Sequence, residues 1–364
     1  MNQFPSPEAR KAFDDATKKI AAASSEGATS LYLNSNRSLD RLPKAISRLT
    51  ALERLILRGT DVRDVAPLVG MTGLKFVNLC RTKVVDVTPL ANLPSLEVIL
   101  LNETAVADIA ALSKLTGLKY LGLSRTKVTD ITAVGNLKKL DHLDLSHAPV
   151  TSVAPLAELT DLKKLWISCK DVADITPIKG LATLENLRVQ LAKATHITAL
   201  ASIGVLEELS FDDKQVTDII PLARLTGLKK LFLTKTRVTD IGPLAALKSL
   251  DFLCLSDTQT SDVKPLSGLT NLEILQLGCT CVSDLTPLAN LLSLRTLMLR
   301  DCPVTDISSL RNLQDLEYLG LEGTKVKDLS VLSELKSLEQ VHLWNMGKTT
   351  GLAPAGKRQF HAMK

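Results

Sequence analysis

The sequence predicts an α/β solenoid built from one repeating unit, and three observations support this prediction. First, a leucine recurs every 22 residues from Leu52 to Leu338, over 13 periods without an insertion. Second, each unit contains a Leu-x-Leu segment followed by a Val-x-Asp-x-x-Pro-Leu segment. Third, the chain has 364 residues and no linker rich in Gly, Pro or Ser. A chain of this length without a linker favours a stacked array of repeats over a single globular core.

Each part of the unit predicts a local structure. Leucines two residues apart share one face of a strand, so the Leu-x-Leu segment predicts a short strand with its leucines turned inward. The Pro–Leu pair, as in Pro67–Leu68, predicts a helical turn with Pro in its first position and the preceding residue, as in Thr88, as its cap. The Asp of the unit, replaced only at Ser152 and His196, is expected to accept backbone N–H bonds in the bend before this turn. One unit cannot bury its leucines alone, so the units must stack.

This unit resembles a leucine-rich repeat, and its 22-residue form with Val-Thr-Asp-x-x-Pro-Leu is similar to the internalin and SDS22-like class. The resemblance covers residues 28–346 and about 15 repeats, and it suggests a bacterial protein. It implies a leucine-rich repeat horseshoe or arc, with a parallel concave β-sheet and 3₁₀ or short helical turns on the convex side. The family places an Asn ladder after the strands, whereas this chain has Asn36 once and then Thr, whose hydroxyl is expected to link neighbouring turns. The Thr positions are Thr60, Thr82, Thr104, Thr126, Thr236, Thr258, Thr280 and Thr324.

The Thr ladder is expected to be interrupted in the middle of the chain. There the same position holds Ala148, Lys170, Ala192 and Lys214. Alanine has no hydroxyl, and lysine is rarely buried without a partner. Both lysines are therefore expected to reach solvent.

The two ends of the chain predict different structures. Residues 1–27 predict an N-terminal capping helix, because Ser6 and Pro7 suit its start and Gly27 suits its end. Its predicted buried stripe is Ala9, Phe13, Ala16, Ile20 and Ala23. A targeting helix is the alternative, which the four acidic residues of this segment disfavour. Residues 347–364 form a basic tail that either folds back over the last strand or leaves that end to a partner.

Composition argues against several classes of function. The net charge is +5, and no basic run is typical of a nucleic-acid footprint. No apolar run reaches the length of a membrane span. The six cysteines are scattered and lack the spacing of metal ligands. We therefore expect no cofactor, no metal, no nucleic acid and no membrane among its partners. A cytoplasmic protein with reduced thiols is expected, with delivery into a host cell without a cleaved signal peptide as the alternative.

Aromatic residues concentrate beside the strand leucines, where side chains point away from the core. Eight of the twelve aromatic residues occupy such positions. The general preference of aromatics for strands explains part of this excess, but aromatics on an exposed face are also typical of protein-binding anchors. Charges of both signs share the face, which favours a protein partner. The predicted partner-binding residues are Phe76, Tyr120, Trp166, Lys230, Phe232, Phe252, Tyr318 and Trp344, with Arg54, Arg58, Arg81, Arg125, Glu208 and Asp212, and nearby lie Tyr32, Asp213, Lys235, Asp257, Arg300, Asp301 and Glu322.

The sequence thus indicates a non-enzymatic protein-recognition scaffold, an adaptor or regulator that binds a protein partner on its concave face. A host-directed bacterial effector and a sensor subunit of a separate effector are alternatives. A remote alternative is a hydrolase that uses His142, Asp144, His147 and Cys169. Its basis is that His147 and Cys169 occupy equivalent positions in successive repeats, and so could lie about 5 Å apart.

Overall fold

The computed structural model describes residues 4–190, 197–212, 214–351 and, for the backbone alone, 359–361. The chain forms two compact units, Met1–Leu184 and Glu185–Lys364. Each unit combines short parallel strands with 3₁₀ helices, one of each per repeat, so the predicted solenoid architecture is confirmed. The predictions for Ala192, His196 and Asp213, and those for most of the tail, lie outside the described residues.

The first unit begins with the helix α1 (Pro7–Glu26), followed by seven parallel strands that pair in chain order. The strands are β1 (Ser30–Tyr32), β2 (Arg54–Ile56), β3 (Phe76–Asn78), β4 (Val98–Leu100), β5 (Tyr120–Gly122), β6 (His142–Asp144) and β7 (Lys164–Ile167). The 3₁₀ helices are Lys44–Arg48, Ala66–Leu68, Thr88–Leu90, Ala110–Lys114, Thr132–Asn136, Ala154–Glu158 and Thr176–Gly180.

The second unit continues the same alternation, and its strands also pair in parallel and in chain order. The strands are β8 (Asn186–Val189), β9 (Glu208–Phe211), β10 (Lys230–Phe232), β11 (Phe252–Cys254), β12 (Ile274–Gln276), β13 (Thr296–Met298), β14 (Tyr318–Gly320), β15 (Gln340–His342) and β16 (Gln359–His361). The 3₁₀ helices are Thr198–Ser202, Ile220–Arg224, Gly242–Ala246, Lys264–Leu266, Thr286–Leu288, Ser308–Asn312 and Ser330–Ser333.

The strand register equals the repeat length, so each inward leucine lies beside the equivalent leucine of the next repeat. In the second unit, for example, Leu231 pairs with Leu253. The N–H of Leu233, just after β10, donates to the carbonyl of Cys254 at 2.8 Å. Leu231 and Leu233 are fully buried, as are the leucines that open the repeats from Leu52 to Leu338. The leucine core predicted from the 22-residue period is therefore confirmed.

In most bends the Asp side chain accepts a backbone N–H, as predicted. The residue predicted to cap the turn occupies a different position from the one expected. The Asp130 Oδ1 accepts the backbone N–H of Thr132 at 2.8 Å, and Asp240 accepts that of Gly242 at 2.7 Å. The interpretation of Thr88 as a cap is wrong, since Thr88 is the first residue of its 3₁₀ helix and Asp86 accepts its N–H. The proline is accordingly the second residue of the turn, where its missing N–H also leaves no bond unmade.

The expected role of the Thr ladder is also wrong. Seven of the hydroxyls bond within their own turn; Thr60 Oγ1, for instance, donates to the Leu57 carbonyl at 2.8 Å. Of the eight Thr of the ladder, all within the described residues, Thr280 alone also bonds to the next repeat, with its Oγ1 3.4 Å from Cys302 Sγ. The interruption is confirmed at the described positions, because Ala148 is buried and Lys170 and Lys214 are exposed.

A left-handed residue follows the strand in most repeats. Non-glycine residues with positive φ are Arg81, Glu103, Arg125, His147, Lys235, Asp257, Cys279, Asp301 and Asn345, and Gly59 and Gly323 take the equivalent position. This conformation turns the backbone N–H toward the next repeat, where that of Arg81 donates to Asn102 at 2.9 Å. L-residues adopt it at a cost that glycine avoids.

The helix α1 starts and ends where the sequence predicts. The Ser6 hydroxyl accepts the N–H of Ala9 at 3.1 Å, and Gly27 adopts a φ of 60°. The buried stripe contains Ala12 instead of Phe13, whose ring lies half-buried with its centroid 5.2 Å from that of Phe4.

The helix is tied to the first repeat by a buried side chain. Asn36 Nδ2 donates to the carbonyl of Ala12 at 2.9 Å. The one Asn of the expected ladder thus binds the helix instead of a neighbouring turn. The division into a cap (1–27), a solenoid (28–346) and a tail (347–364) stays a prediction.

The tail contributes a strand to the second unit. The backbone of β16 pairs in parallel with β15, Val341 lying opposite Phe360. Thr350 also bridges to Asp328, with its N–H donating to the Lys327 carbonyl at 2.8 Å. At this end a segment of the tail thus lies beside the last repeat strand as a further parallel strand.

Truncation of an inward leucine is predicted to destabilise the second unit strongly. Leu231→Ala is expected to lower the free energy of unfolding by about 2–5 kcal/mol, because it leaves a cavity among fully buried leucines. Urea unfolding followed by circular dichroism measures this loss. The neighbouring variant Phe232→Ala, which empties no core site, is the control and should lose clearly less. A loss below about 1 kcal/mol for Leu231→Ala would contradict the register.

The Asp bends predict a loss of stability in acid. The hydroxyl and N–H of Thr132 hold the pKa of Asp130 below its ordinary value of 3.8, and Thr176 acts likewise on Asp174. A carboxyl whose pKa is lower in the folded state stabilises the fold fully above pH 3.8, and this stabilisation is lost as the pH falls toward the folded value. The urea midpoint should therefore drop below about pH 4.

A double variant tests the origin of this acid effect. Asp130→Asn with Asp174→Asn keeps an oxygen that accepts the N–H but removes the titrating charge, so the acid drop should become smaller. Asp14→Asn, at an exposed position of α1, is the control. An unchanged pH dependence in the double variant would rule out these bends as its source.

Candidate functional site

The outer sheet face consists of the side chains that flank the inward leucines and therefore point away from the core. Each of the two units has such a face. Strand pairing arranges these side chains in rows that run across the strands, so residues 22 apart lie side by side.

In the first unit, the predicted aromatic residues make specific contacts. The Arg54 guanidinium lies 3.7 Å from the centroid of the Phe76 ring. The Tyr120 ring stacks on His142, with centroids 5.4 Å apart. Burial raises the pKa of Tyr120, so its hydroxyl stays neutral. Trp166 is half-buried on β7, in register beside Asp144.

Aliphatic side chains fill the face between these aromatic residues. Val98 pairs with Phe76 on one side and Tyr120 on the other, and Ile56 and Leu100 occupy the adjoining row. All five are half-buried, and we call them the apolar patch. The sequence reasoning missed its aliphatic members because it counted aromatics only; the signal was their identical position beside the inward leucines.

Arginines lie where the strands of the first unit end. Arg58, Arg81 and Arg125 are exposed there, and we call them the arginine rim. Arg81 pairs with Glu103 at 2.9 Å, and this contact keeps the pKa of Glu103 below its ordinary range. Three of the four predicted arginines of the first unit therefore lie where its strands end, whereas Arg54 lies over the Phe76 ring.

In the second unit, the central contact joins the two phenylalanines that the sequence singled out. The Phe232 and Phe252 rings have centroids 4.5 Å apart and an angle of 34°. Lys230 pairs with Phe252 on β11 and with Glu208 on β9. Lys235 and Asp257 are exposed beyond the strand ends. The predicted aromatic pair with surrounding charges is therefore present.

A second aromatic group lies near the end of the second unit. The Tyr318 hydroxyl is 2.9 Å from the ring nitrogens of His342, and His342 stacks on Trp344 with centroids 5.4 Å apart. Glu322 Oε1 lies 3.2 Å from His342 Nδ1. His342 links the predicted residues Tyr318, Trp344 and Glu322, and the sequence gave no separate signal for it because histidine was not counted with the aromatics.

The predicted site residues are less exposed than expected. Among the eight aromatics, Tyr32 and Trp344 are 53% and 42% exposed, and the other six are half-buried. Side chains on neighbouring strands pack against one another, and this contact covers part of each ring. Glu208 is also half-buried, and so is Asp212, which accepts a hydrogen bond from Gln190 Nε2 at 3.5 Å.

The hydrolase alternative is not supported by the positions of its residues. Cys169 is buried, its thiol donates to the Leu145 carbonyl at 3.1 Å, and burial raises its pKa to about 12. A thiol with this pKa does not form the thiolate that a nucleophile requires. Asp144 accepts the N–H of Ser146, and His142 bonds Asp141 at 2.6 Å. His147 is exposed beside them.

Within the described ranges, no group of three or more His, Cys, Asp or Glu residues is placed to hold a metal ion. Cys279 and Cys281 are exposed free thiols, and Cys80, Cys169, Cys254 and Cys302 are buried free thiols. In the part of the chain that the structure describes, no helix is both long and apolar enough to cross a membrane.

Comparison with known proteins identifies the repeat. The family described as "Leucine Rich repeats (2 copies)" matches residues 248–290 and 292–334. An internalin from Listeria monocytogenes superimposes with a TM-score of 0.74 and 27% identity, covering 87% of this chain and 98% of that one. No curated protein sequence is significantly similar to the chain.

More distant structures share the fold. A leucine-rich repeat protein of Leptospira interrogans has a TM-score of 0.75 and 19% identity, covering 94% of this chain and 98% of that one. The ectodomain of the Arabidopsis thaliana receptor kinase GASSHO1/SCHENGEN3, in complex with Casparian strip integrity factor 2, has a TM-score of 0.60 and 16% identity. That match covers 84% of this chain and 43% of the ectodomain.

The repeat spacing, the parallel strands and these matches together define a solenoid of the leucine-rich repeat class. Residues 248–290 and 292–334 match leucine-rich repeats, and an internalin is among the structural neighbours of the chain.

The burial of Cys169 predicts a large difference in thiol reactivity. In the native protein at neutral pH, Cys279 and Cys281 should react readily with a maleimide, whereas Cys169 should react only after unfolding. Mass spectrometry of peptides after timed labelling measures both rates, and labelling in urea is the control. Fast native labelling of Cys169 would revive the nucleophile hypothesis.

Proposed function

We propose that this protein is a non-enzymatic recognition scaffold that binds a protein partner through its outer sheet face, the concave face expected for the family. The observation that carries this proposal is the contact between Phe232 and Phe252, with centroids 4.5 Å apart on the outward side of β10 and β11. Such rings contribute large apolar areas to an interface.

Two properties of the pair suit it to binding. The rings hold each other in place, so little side-chain entropy remains to be lost when a partner covers them. The charges of Lys230, Lys235 and Asp257 surround them, and a polar rim around aromatic anchors is the usual arrangement of a protein interface.

The charges also favour a protein over other partners. Basic and acidic side chains both lie on the face in the second unit, whereas a nucleic-acid or membrane surface would favour one sign. The fold is compatible with recognition, since the Arabidopsis ectodomain is in complex with Casparian strip integrity factor 2. We infer that the chain needs no cofactor and carries out no catalysis itself.

The likeness to an internalin and the free thiols bear on the cellular role. We propose a cytoplasmic adaptor or regulator from a bacterium, on the strength of the likeness to the Listeria internalin and the free thiols. A host-directed effector and a sensor subunit of a separate effector are the alternatives. The identity of the captured partner would distinguish the three.

The predicted effect of Phe232→Ala separates binding from folding. Loss of a central anchor should weaken partner binding by about 2 kcal/mol or more, while the melting temperature stays nearly unchanged because the ring lies outside the leucine core. The partner is captured with the wild-type protein, identified by mass spectrometry and titrated by calorimetry.

Two variants control this experiment. Phe13→Ala removes a half-buried ring on α1, away from the sheet, and should leave affinity unchanged. Leu231→Ala should damage folding first. The role of Phe232 as a binding anchor would be refuted if Phe232→Ala unfolds the protein. It would also be refuted if the folded variant binds the partner with undiminished affinity.

A further inference from the structure

We propose that the outer sheet face of the first unit docks an acidic segment of a polypeptide that carries an apolar side chain. This inference rests on the proposed recognition function and names the chemistry of the partner at a second place on the same kind of face. It follows from the apolar patch and the arginine rim together.

Three members of the apolar patch form a continuous row, whereas Asn78 lies between Ile56 and Leu100 in the adjoining row. Phe76, Val98 and Tyr120 pair in register across β3, β4 and β5, and neighbouring parallel strands lie about 4.8 Å apart. Leu100 pairs with Gly122, which has no side chain, and a Cβ there would lie 2.7 Å from Asn102 Oδ1 and 3.2 Å from Leu100 Cδ2. The side chains of Leu100 and Asn102 therefore both lie over Gly122, where the patch meets its polar edge. A contiguous outward patch with polar edges is typical of an interaction site.

The arginine rim borders this patch where its strands end. Arg81 and Arg125 occupy the left-handed position, with φ values of 57° and 55°. Gly59 takes the same position one repeat earlier. Glycine adopts this conformation without strain, whereas Arg81 and Arg125 place long cationic side chains at this position, beside the patch.

Two carboxylates near the rim are already engaged within the protein. Glu103 pairs with Arg81 at 2.9 Å, and Asp144 is buried and accepts the N–H of Ser146. Within the described residues, Arg58 and Arg125 form no ion pair with a carboxylate. Their guanidinium groups can therefore bind carboxylates of a partner.

Two lysines at the opposite ends of the strands are paired within the protein. Lys75 pairs with Glu53 at 2.7 Å, and Lys119 pairs with Glu97 at 3.1 Å. These two lysines therefore add little net positive charge at that edge. A partner that matches this arrangement places an apolar side chain on the patch and carboxylates over the rim.

An acidic polypeptide fits better than a nucleic acid. The faces of the two rings are already engaged, Phe76 by Arg54 and Tyr120 by His142, so they offer little surface for base stacking. The aliphatic members of the patch bind apolar side chains instead. A polyanion without apolar groups would use the rim alone.

The test uses the full chain and a fluorescein-labelled peptide with the sequence Glu-Asp-Glu-Phe-Leu-Glu-Asp-Glu. Fluorescence anisotropy at low salt measures its affinity. Comparison peptides carry lysine at every acidic position, or serine in place of Phe and Leu, and a labelled single-stranded oligothymidine represents nucleic acid. The acidic apolar peptide should bind at least about tenfold more tightly than each of them, because it alone satisfies both patch and rim.

Matched variants locate the binding. Arg125→Glu reverses one rim charge, and Val98→Thr places a hydroxyl in the patch without changing its shape. Each substitution should lower the affinity for the acidic peptide by about tenfold or more. The controls are Arg224→Glu, which makes the same charge reversal at an exposed position of a 3₁₀ helix in the second unit, and Ile274→Thr, at the strand position equivalent to Val98. Both should remain within about twofold of wild type.

Several results would overturn the inference. They are the absence of saturable binding, equal losses in the test variants and their controls, equal affinity for the peptide without Phe and Leu, and equal or tighter binding of the oligothymidine. In any of these cases, the proposed function still stands if Phe232→Ala lowers the affinity for the captured partner. Conversely, Phe232→Ala could leave the affinity for the captured partner unchanged while the peptides bind as expected. That result would contradict the role of Phe232 as an anchor and support this docking site.

Discussion

The stacking of leucines in a fixed register is the constraint on which the rest of the structure depends. A strand of three or four residues and a 3₁₀ helix cannot bury their own apolar side chains, so each repeat is stable only against its neighbours. The 22-residue period places Leu231 beside Leu253, and the same relation holds at each described pairing within a unit. Because side chains alternate along a strand, this register also fixes which residues face outward.

The bends that connect the repeats serve the same register. In most described repeats an Asp carboxylate accepts the N–H that opens the 3₁₀ helix, and in seven repeats a Thr hydroxyl closes the turn after the strand. The left-handed residue between them directs its N–H to the next repeat. Uniform bends keep the inward leucines aligned. The outward side chains lie outside this core, so they can vary without disturbing the register.

The outward positions differ between the two units in a way that suggests distinct contacts. In the first unit, aliphatic and aromatic side chains adjoin an edge that carries arginines. In the second, Phe232 and Phe252 form an aromatic pair among charges of both signs, and a group centred on His342 lies further along the chain. A scaffold with such faces can bind separate segments of one partner, whose combined attachment strengthens binding.

The sequence by itself determined the class of fold, the bounds of α1, the buried leucines and the outward direction of Phe232, because each depends on a local pattern or on a strict period. Tertiary structure alone decided how Thr60 bonds, why Ala12 replaces Phe13 in the buried stripe and where the thiol of Cys169 points. It also brought Ile56, Val98 and Leu100 together with Phe76 and Tyr120 in one patch. These outcomes depend on contacts between side chains of different repeats or elements, and on the space available to each, which a periodic pattern along one chain does not specify.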